Sequence, residues 1–110
     1  MQEIKAVIQP GRLSRLREAV RRIPDFPGMT VSRAEGSGYH PQKPASAGIK
    51  GELADFSAKV RIEIVAPDEQ VEALCALVRD ACHTGQAGDG VVWVVPVERF
   101  GRLREPAGPR

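Results

Sequence analysis

The apolar residues of this chain recur with a period of two, then of three to four, then of two again, and after a long interruption the same succession returns. Ile4, Ala6 and Ile8 alternate with Glu3, Lys5 and Val7 before Pro10-Gly11, which predicts a strand over residues 2–9 closed by a turn. Leu13, Leu16, Val20 and Ile23 then fall at helical spacing, with Arg12, Arg15, Arg17, Glu18, Arg21 and Arg22 on the remaining arc. Pro24, Pro27 and Gly28 stop that helix. Met29–Ala34 resumes an extended pattern that ends near Gly36. Past the interruption, Val60, Ile62 and Ile64 alternate with Lys59, Arg61 and Glu63, and Val65-Ala66-Pro67 closes the strongest strand. Asp68 is expected to cap a second helix whose stripe is Val71, Leu74, Cys75, Val78, Ala81 and Cys82, ending before Gly85. Val91–Val97 is apolar on both faces, as expected of a strand covered on both sides.

This order is the split βαβ arrangement, an α+β fold in which four antiparallel strands carry two helices on one face. One domain over residues 1–110 accounts for the whole length. Trp93 and its valines would leave apolar groups on the open face, and a homo-oligomer is the simplest cover. Lys and Arg exceed Asp and Glu by 16 to 14, a surplus too small to make a nucleic acid the default partner. No apolar run reaches the roughly 18–20 residues of a membrane span, and no export signal opens the sequence, so a cytoplasmic location is expected. Cys75 and Cys82 lie about 10 Å apart along one helix axis, too far for a disulfide, and their spacing fits no zinc pattern. They are expected as small buried hydrophobes.

Chemistry concentrates in three places. Between Gly36 and about Ala54, glycines and prolines break every period, and a loop of that length inside a small domain is usually functional or disordered. Thr84-Gly85-Gln86-Ala87-Gly88-Asp89-Gly90 holds three glycines, whose backbone amides can turn inward as an anion-binding nest suited to phosphate. It lacks a P-loop's terminal lysine and follows a helix, so it is not one. Arg102 and Arg104 would share one face of an extended segment, where guanidinium forks match phosphate. No paired carboxylates and no Ser/His/Asp set can be placed together, which argues against an enzyme. A metal-responsive accessory protein would rest on His40 and His83 alone.

Together, Gly28-Met29-Thr30-Val31, the long loop, Lys59-Val60-Arg61-Ile62-Glu63-Ile64-Val65, Thr84-Gly85-x-x-Gly88-Asp89-Gly90 and Arg99-x-x-Arg102-x-Arg104 resemble the PII signal-transduction family over almost the whole chain. The resemblance implies a ferredoxin-like βαββαβ homotrimer with no permanently bound cofactor. It also implies sites for ATP, ADP or AMP, with Mg2+ as companion, in clefts between subunits. A T-loop, here residues 37–55, would control a membrane transporter or an enzyme. The B-loop, residues 84–90, would hold phosphates through the amides of Gly88, Asp89 and Gly90, and Arg102 and Arg104 would reach them from the neighbouring subunit. Thr30 and Glu63 match positions facing adenine and ribose, Val65 the wall beside the base, and Gly36, Ser37 and Gly38 the nucleotide side of the T-loop. Lys59 matches the lysine that meets 2-oxoglutarate or phosphate. Residues 105–110 form a loose tail.

The sequence departs from the nitrogen-sensing pattern in ways that bear on the signal. Val91 replaces the lysine after Gly-Asp-Gly, removing a cation whose loss costs most where phosphate charge is greatest, so ATP should lose more than ADP or AMP. Tyr39 and His40 replace an arginine and a glutamine used for 2-oxoglutarate, which directs attention to another small anion such as bicarbonate. Glu52 occupies the position of the modified tyrosine, so uridylylation is not expected. Tyr39, His40, Lys43, Lys50 and Glu52 are the expected effector and partner residues of the loop. A nitrogen-type regulator answering to ATP and 2-oxoglutarate is the alternative.

Overall fold

The computed structural model describes residues 1–37 and 56–105. Strand β1 (Gln2–Ile8) leads through a 3-10 turn at Pro10–Arg12 into helix α1 (Leu13–Arg21). Strand β2 (Thr30–Ser37) and strand β3 (Phe56–Ala66) follow. Helix α2 (Asp68–Cys82) and strand β4 (Gly90–Pro96) complete the succession. The strands form one antiparallel sheet in the order β2-β3-β1-β4, the ferredoxin-like arrangement anticipated from the periodicity.

Alternation decides which side of the sheet is buried. Ile4, Ala6 and Ile8 of β1 and Val60, Ile62, Ile64 and Ala66 of β3 turn inward. They meet Leu16 and Val20 of α1 and Val71, Leu74, Val78, Ala81 and Cys82 of α2. Because β1 and β3 are the central strands, their inward side chains meet both helices, and no buried polar or charged residue interrupts the core among the described residues. The opposite face carries Glu3, Lys5 and Val7 alongside Lys59, Arg61, Glu63 and Val65, the partners required by the register.

Three local expectations need correction. First, β2 runs two residues into the expected loop, pairing Gly36 with Ser57 and Ser37 with Phe56, and β3 starts at Phe56. This ribbon extends past the end of β1, where ladder hydrogen bonds suffice and no apolar alternation is imposed. Second, α1 ends at Arg21; the Ile23 amide instead bonds to the Val20 carbonyl in a tighter final turn. Third, Asp68 is the first helical residue rather than the cap, which is Pro67. Its carboxylate pairs with the Met1 amino group at 2.9 Å and accepts from Gln2 Nε2 at 3.3 Å, which lowers its pKa. Strand β4 is an edge strand, and within one protomer Val91, Trp93 and Val94 are 61%, 42% and 38% exposed. Among the described residues, no helix is long and apolar enough to cross a membrane.

Candidate functional site

At one end of the sheet β1 stops and β4 starts, while β3 runs on beside β2. Ile8, the last residue of β1, is paired on one side with Gly90, where β4 begins, and on the other with Val60. Gln9, Lys59 and the turn at Gly88 therefore lie one or two residues beyond the same rung of the sheet. Gly90 belongs here for a steric reason: its φ is +121°, and a Cβ on it would sit 1.9 Å from the Val7 carbonyl oxygen. Only glycine lets β4 start so close to β1.

The loop from Thr84 to Asp89 does form a nest, but the anion it encloses is its own. The Asp89 carboxylate accepts from the amides of Thr84 at 2.9 Å and Gly85 at 3.0 Å and from the Thr84 hydroxyl. The Gln86 amide donates to Thr84 Oγ1 at 3.2 Å. These backbone donors, foremost that of Thr84, hold the Asp89 carboxyl below its usual pKa, and the charges of His83 and Arg12 add to the effect. His83 Nδ1 approaches Asp89 Oδ2 at 3.3 Å. The amides of residues 84, 85 and 86 thus shape the loop from within, and those of Gly88, Asp89 and Gly90, the ones expected to meet phosphate, are not among these donors.

Lys59 reaches the same loop from β3, donating from Nζ to the Gly88 carbonyl at 3.0 Å, while Gln9 Nε2 donates to that carbonyl at 3.1 Å. Gly88 takes a φ of +91°, which aims its peptide in a direction that L side chains rarely allow. Gly36 makes room for the lysine stem, since a Cβ there would lie 3.2 Å from Lys59 Cγ. Beside the loop lies a cleft of about 550 Å³ between the end of α2 and the start of β4, walled by Val7, Val91 and Val92 and edged by His83 and Asp89.

Thr30, Glu63 and Val65 form a second group on the open face, and Arg102 is held by separate contacts. Thr30 is paired with Glu63 across β2 and β3. Glu63 Oε2 is 3.6 Å from Lys5 Nζ, which also lies 3.5 Å from Glu3. Val65 follows Glu63 on the same face, opposite Glu3. Arg102 donates to the Pro27 carbonyl at 3.4 Å and stands over the Phe100 ring at 5.5 Å. The expectation of one extended segment presenting both arginines is corrected: the Glu105 amide bonds to the Arg102 carbonyl at 2.9 Å, closing a turn around Leu103 and Arg104. Lys59 and Glu63 are four residues apart along one strand, about 13 Å. The structure thus brings Lys59, Gly36, Gly88, Asp89 and Gly90 together, and sets Thr30, Glu63, Val65 and Arg102 apart from them. Gly38, Tyr39, His40, Lys43, Lys50 and Glu52 lie outside the described residues.

Sequence reasoning missed Gln9, Lys5 and Arg12. A register linking residue 9 to residues 59 and 88 was the signal that would have found Gln9, and no local pattern carries it. Among the described residues, no cluster of three or more His, Cys, Asp or Glu is placed to hold a metal. Cys82 is buried and Cys75 partly so, and desolvation raises both thiol pKa values.

The family described as Nitrogen regulatory protein P-II matches residues 1–106. A Nitrogen regulatory protein P-II of Azospirillum brasilense is 38% identical over 106 residues, covering 94% of this chain and 92% of that protein. One from Rhizobium meliloti is 37% identical with the same coverage. The Nitrogen regulatory protein GlnK2 of Haloferax mediterranei is 31% identical over 101 residues, 92% of this chain and 81% of the relative.

Proposed function

The chain belongs to the nitrogen regulatory protein P-II family, and we propose that within it the protein is an adenine-nucleotide sensor that signals through the loop between β2 and β3. Membership makes it a signalling regulator. In the proposed cycle ATP, ADP or AMP binds between subunits of a homotrimer. The Gly88–Gly90 turn and Lys59 of one subunit face Thr30, Glu63, Val65 and the Arg102 and Arg104 side chains of the next, and Mg2+ accompanies ATP.

The observation that carries this reading is the division of the site residues. One group surrounds the glycine turn, the other lies about 13 Å further along the same face, and an interface between copies brings two such groups to one ligand. The apolar edge of β4, with Val91, Trp93 and Val94 exposed, supports the same interface. Val91 leaves no cation after Gly90, which favours ADP and AMP relative to ATP. A second small anion such as bicarbonate, and a membrane transporter or enzyme as target, complete the proposal, with the cytoplasm as its setting. The names of the relatives, nitrogen regulatory proteins, favour a second reading, a nitrogen-type regulator, for which we propose ATP and 2-oxoglutarate as the signals.

A nucleotide shifts the loop only by binding its two states unequally, and Lys59, at the base of the loop, is placed to make that difference. Limited proteolysis tests it. ADP or ATP should change cleavage within residues 37–55 of the wild type, and Lys59→Ala should abolish that change. An unchanged response in the variant would refute the switch.

A further inference from the structure

The Gly88 carbonyl is clamped by two donors of different kinds. Lys59 contributes a charged ammonium at 3.0 Å from β3, and Gln9 a neutral amide at 3.1 Å from the chain leaving β1. An anionic ligand at the turn competes for the ammonium, because a full negative charge attracts it more strongly than the dipole of a carbonyl does. It does not compete for the Gln9 amide to the same degree. We propose that Gln9 is a positioning residue of the glycine loop. It holds the Gly88 carbonyl when Lys59 turns to the ligand, so that the loop keeps its shape through the exchange.

The geometry favours such a division of labour. Gln9 lies immediately before the Pro10–Arg12 turn and next to the core residue Ile8, so its backbone is fixed by the sheet. Lys59 sits on the ribbon that extends past β1, with its stem lying over Gly36, and its ammonium has a long flexible arm. Gly88 meanwhile keeps a φ of +91°, a conformation that must be restrained if the turn is to receive a ligand without first being ordered. The exchange rests on the nucleotide reading given above; the clamp on the free loop does not.

Three variants separate the two donors: Gln9→Leu, Lys59→Met and the double variant. In the free protein one donor suffices, so hydrogen exchange at the Thr84 and Gly85 amides should match wild type in each single variant and rise about tenfold in the double. With ligand, Gln9→Leu leaves the carbonyl without a donor once Lys59 moves, so calorimetric affinity for ADP should fall about tenfold. Gln9 does not touch the ligand, so the ratio of ATP to AMP affinities should stay at the wild-type value in Gln9→Leu and change in Lys59→Met. Wild-type affinity in Gln9→Leu, or wild-type exchange in the double variant, would overturn the proposal. If the wild type bound no adenine nucleotide the sensor reading would fall, and the exchange of the double variant would still decide whether the clamp exists.

Discussion

Two glycines separated by one residue, Gly88 and Gly90, both take positive φ, yet replacing each by alanine should have very different consequences. At Gly88 the φ is +91° and a Cβ would meet nothing within 4 Å, so Gly88→Ala incurs only backbone strain, about 1–2 kcal/mol. At Gly90 the φ is +121° and the Cβ would lie 1.9 Å from the Val7 carbonyl oxygen and 3.2 Å from the Ile8 Cα. Both atoms belong to the central strand, so the strain of about 1–3 kcal/mol is joined by displacement of β4 from β1. The ladder bonds that flank Gly90 and Ile8 contribute about 0.5–1.5 kcal/mol each, and losing two brings the total to roughly 2–6 kcal/mol. Urea denaturation of wild type and both variants at one matched protein concentration, which holds any mass-action contribution from self-association fixed, should place Gly90→Ala about 2–3 kcal/mol below Gly88→Ala. In thermal scans the gap should be about 10 °C or more. Equal stability of the two variants would refute the steric account of Gly90 and leave ligand contact as its only role.

Other expectations follow from named contacts. Because the folded-state pKa of Asp89 is depressed, its contribution to the loop is present above the ordinary carboxylate pKa and lost as pH falls through the lowered value. Loop amides of the wild type should therefore open below about pH 4, while Asp89→Asn, already without the charge, should show no such transition by NMR. Trp93→Arg places a charge on the apolar edge of β4 and should reduce a wild-type mass of three 11.9 kDa chains to one in light scattering; a single-chain wild type would refute the trimer. Burial raises the thiol pKa of Cys75 and Cys82, so both should alkylate more slowly at pH 7.5 than a free cysteine, with the buried Cys82 slower than Cys75. Faster labelling of Cys82 would contradict its packing.

What could be read from the sequence was set by periodicity. Ile4, Ala6 and Ile8, Ile62 and Ile64, and the stripe from Val71 to Cys82 are core residues in the structure, because an apolar period of two or 3.6 states which side is buried. The ribbon at residues 32–37 and 56–61 was only partly legible: its outer rungs are exposed on both sides, and backbone pairing leaves no trace in side-chain type. The glycine loop was legible as a place where backbone conformation matters, and Gly85, Gly88 and Gly90 do carry positive φ. Its internal chemistry was not, since nothing local announces that Asp89 turns back onto the amides of Thr84 and Gly85. Gln9 was invisible for a similar reason: its contact with Gly88 spans 79 residues and depends on how three strands end together.

The account stands or falls on nucleotide binding by the assembled protein. The direct measurement is isothermal titration calorimetry with ATP, ADP and AMP, each alone, with 2-oxoglutarate and with bicarbonate. The account predicts tighter binding of ADP or AMP than of ATP and no response to 2-oxoglutarate. Tight Mg-ATP binding strengthened by 2-oxoglutarate would contradict the sensor proposed here and make the protein a nitrogen-type regulator, and no heat with any nucleotide would remove the adenylate reading altogether.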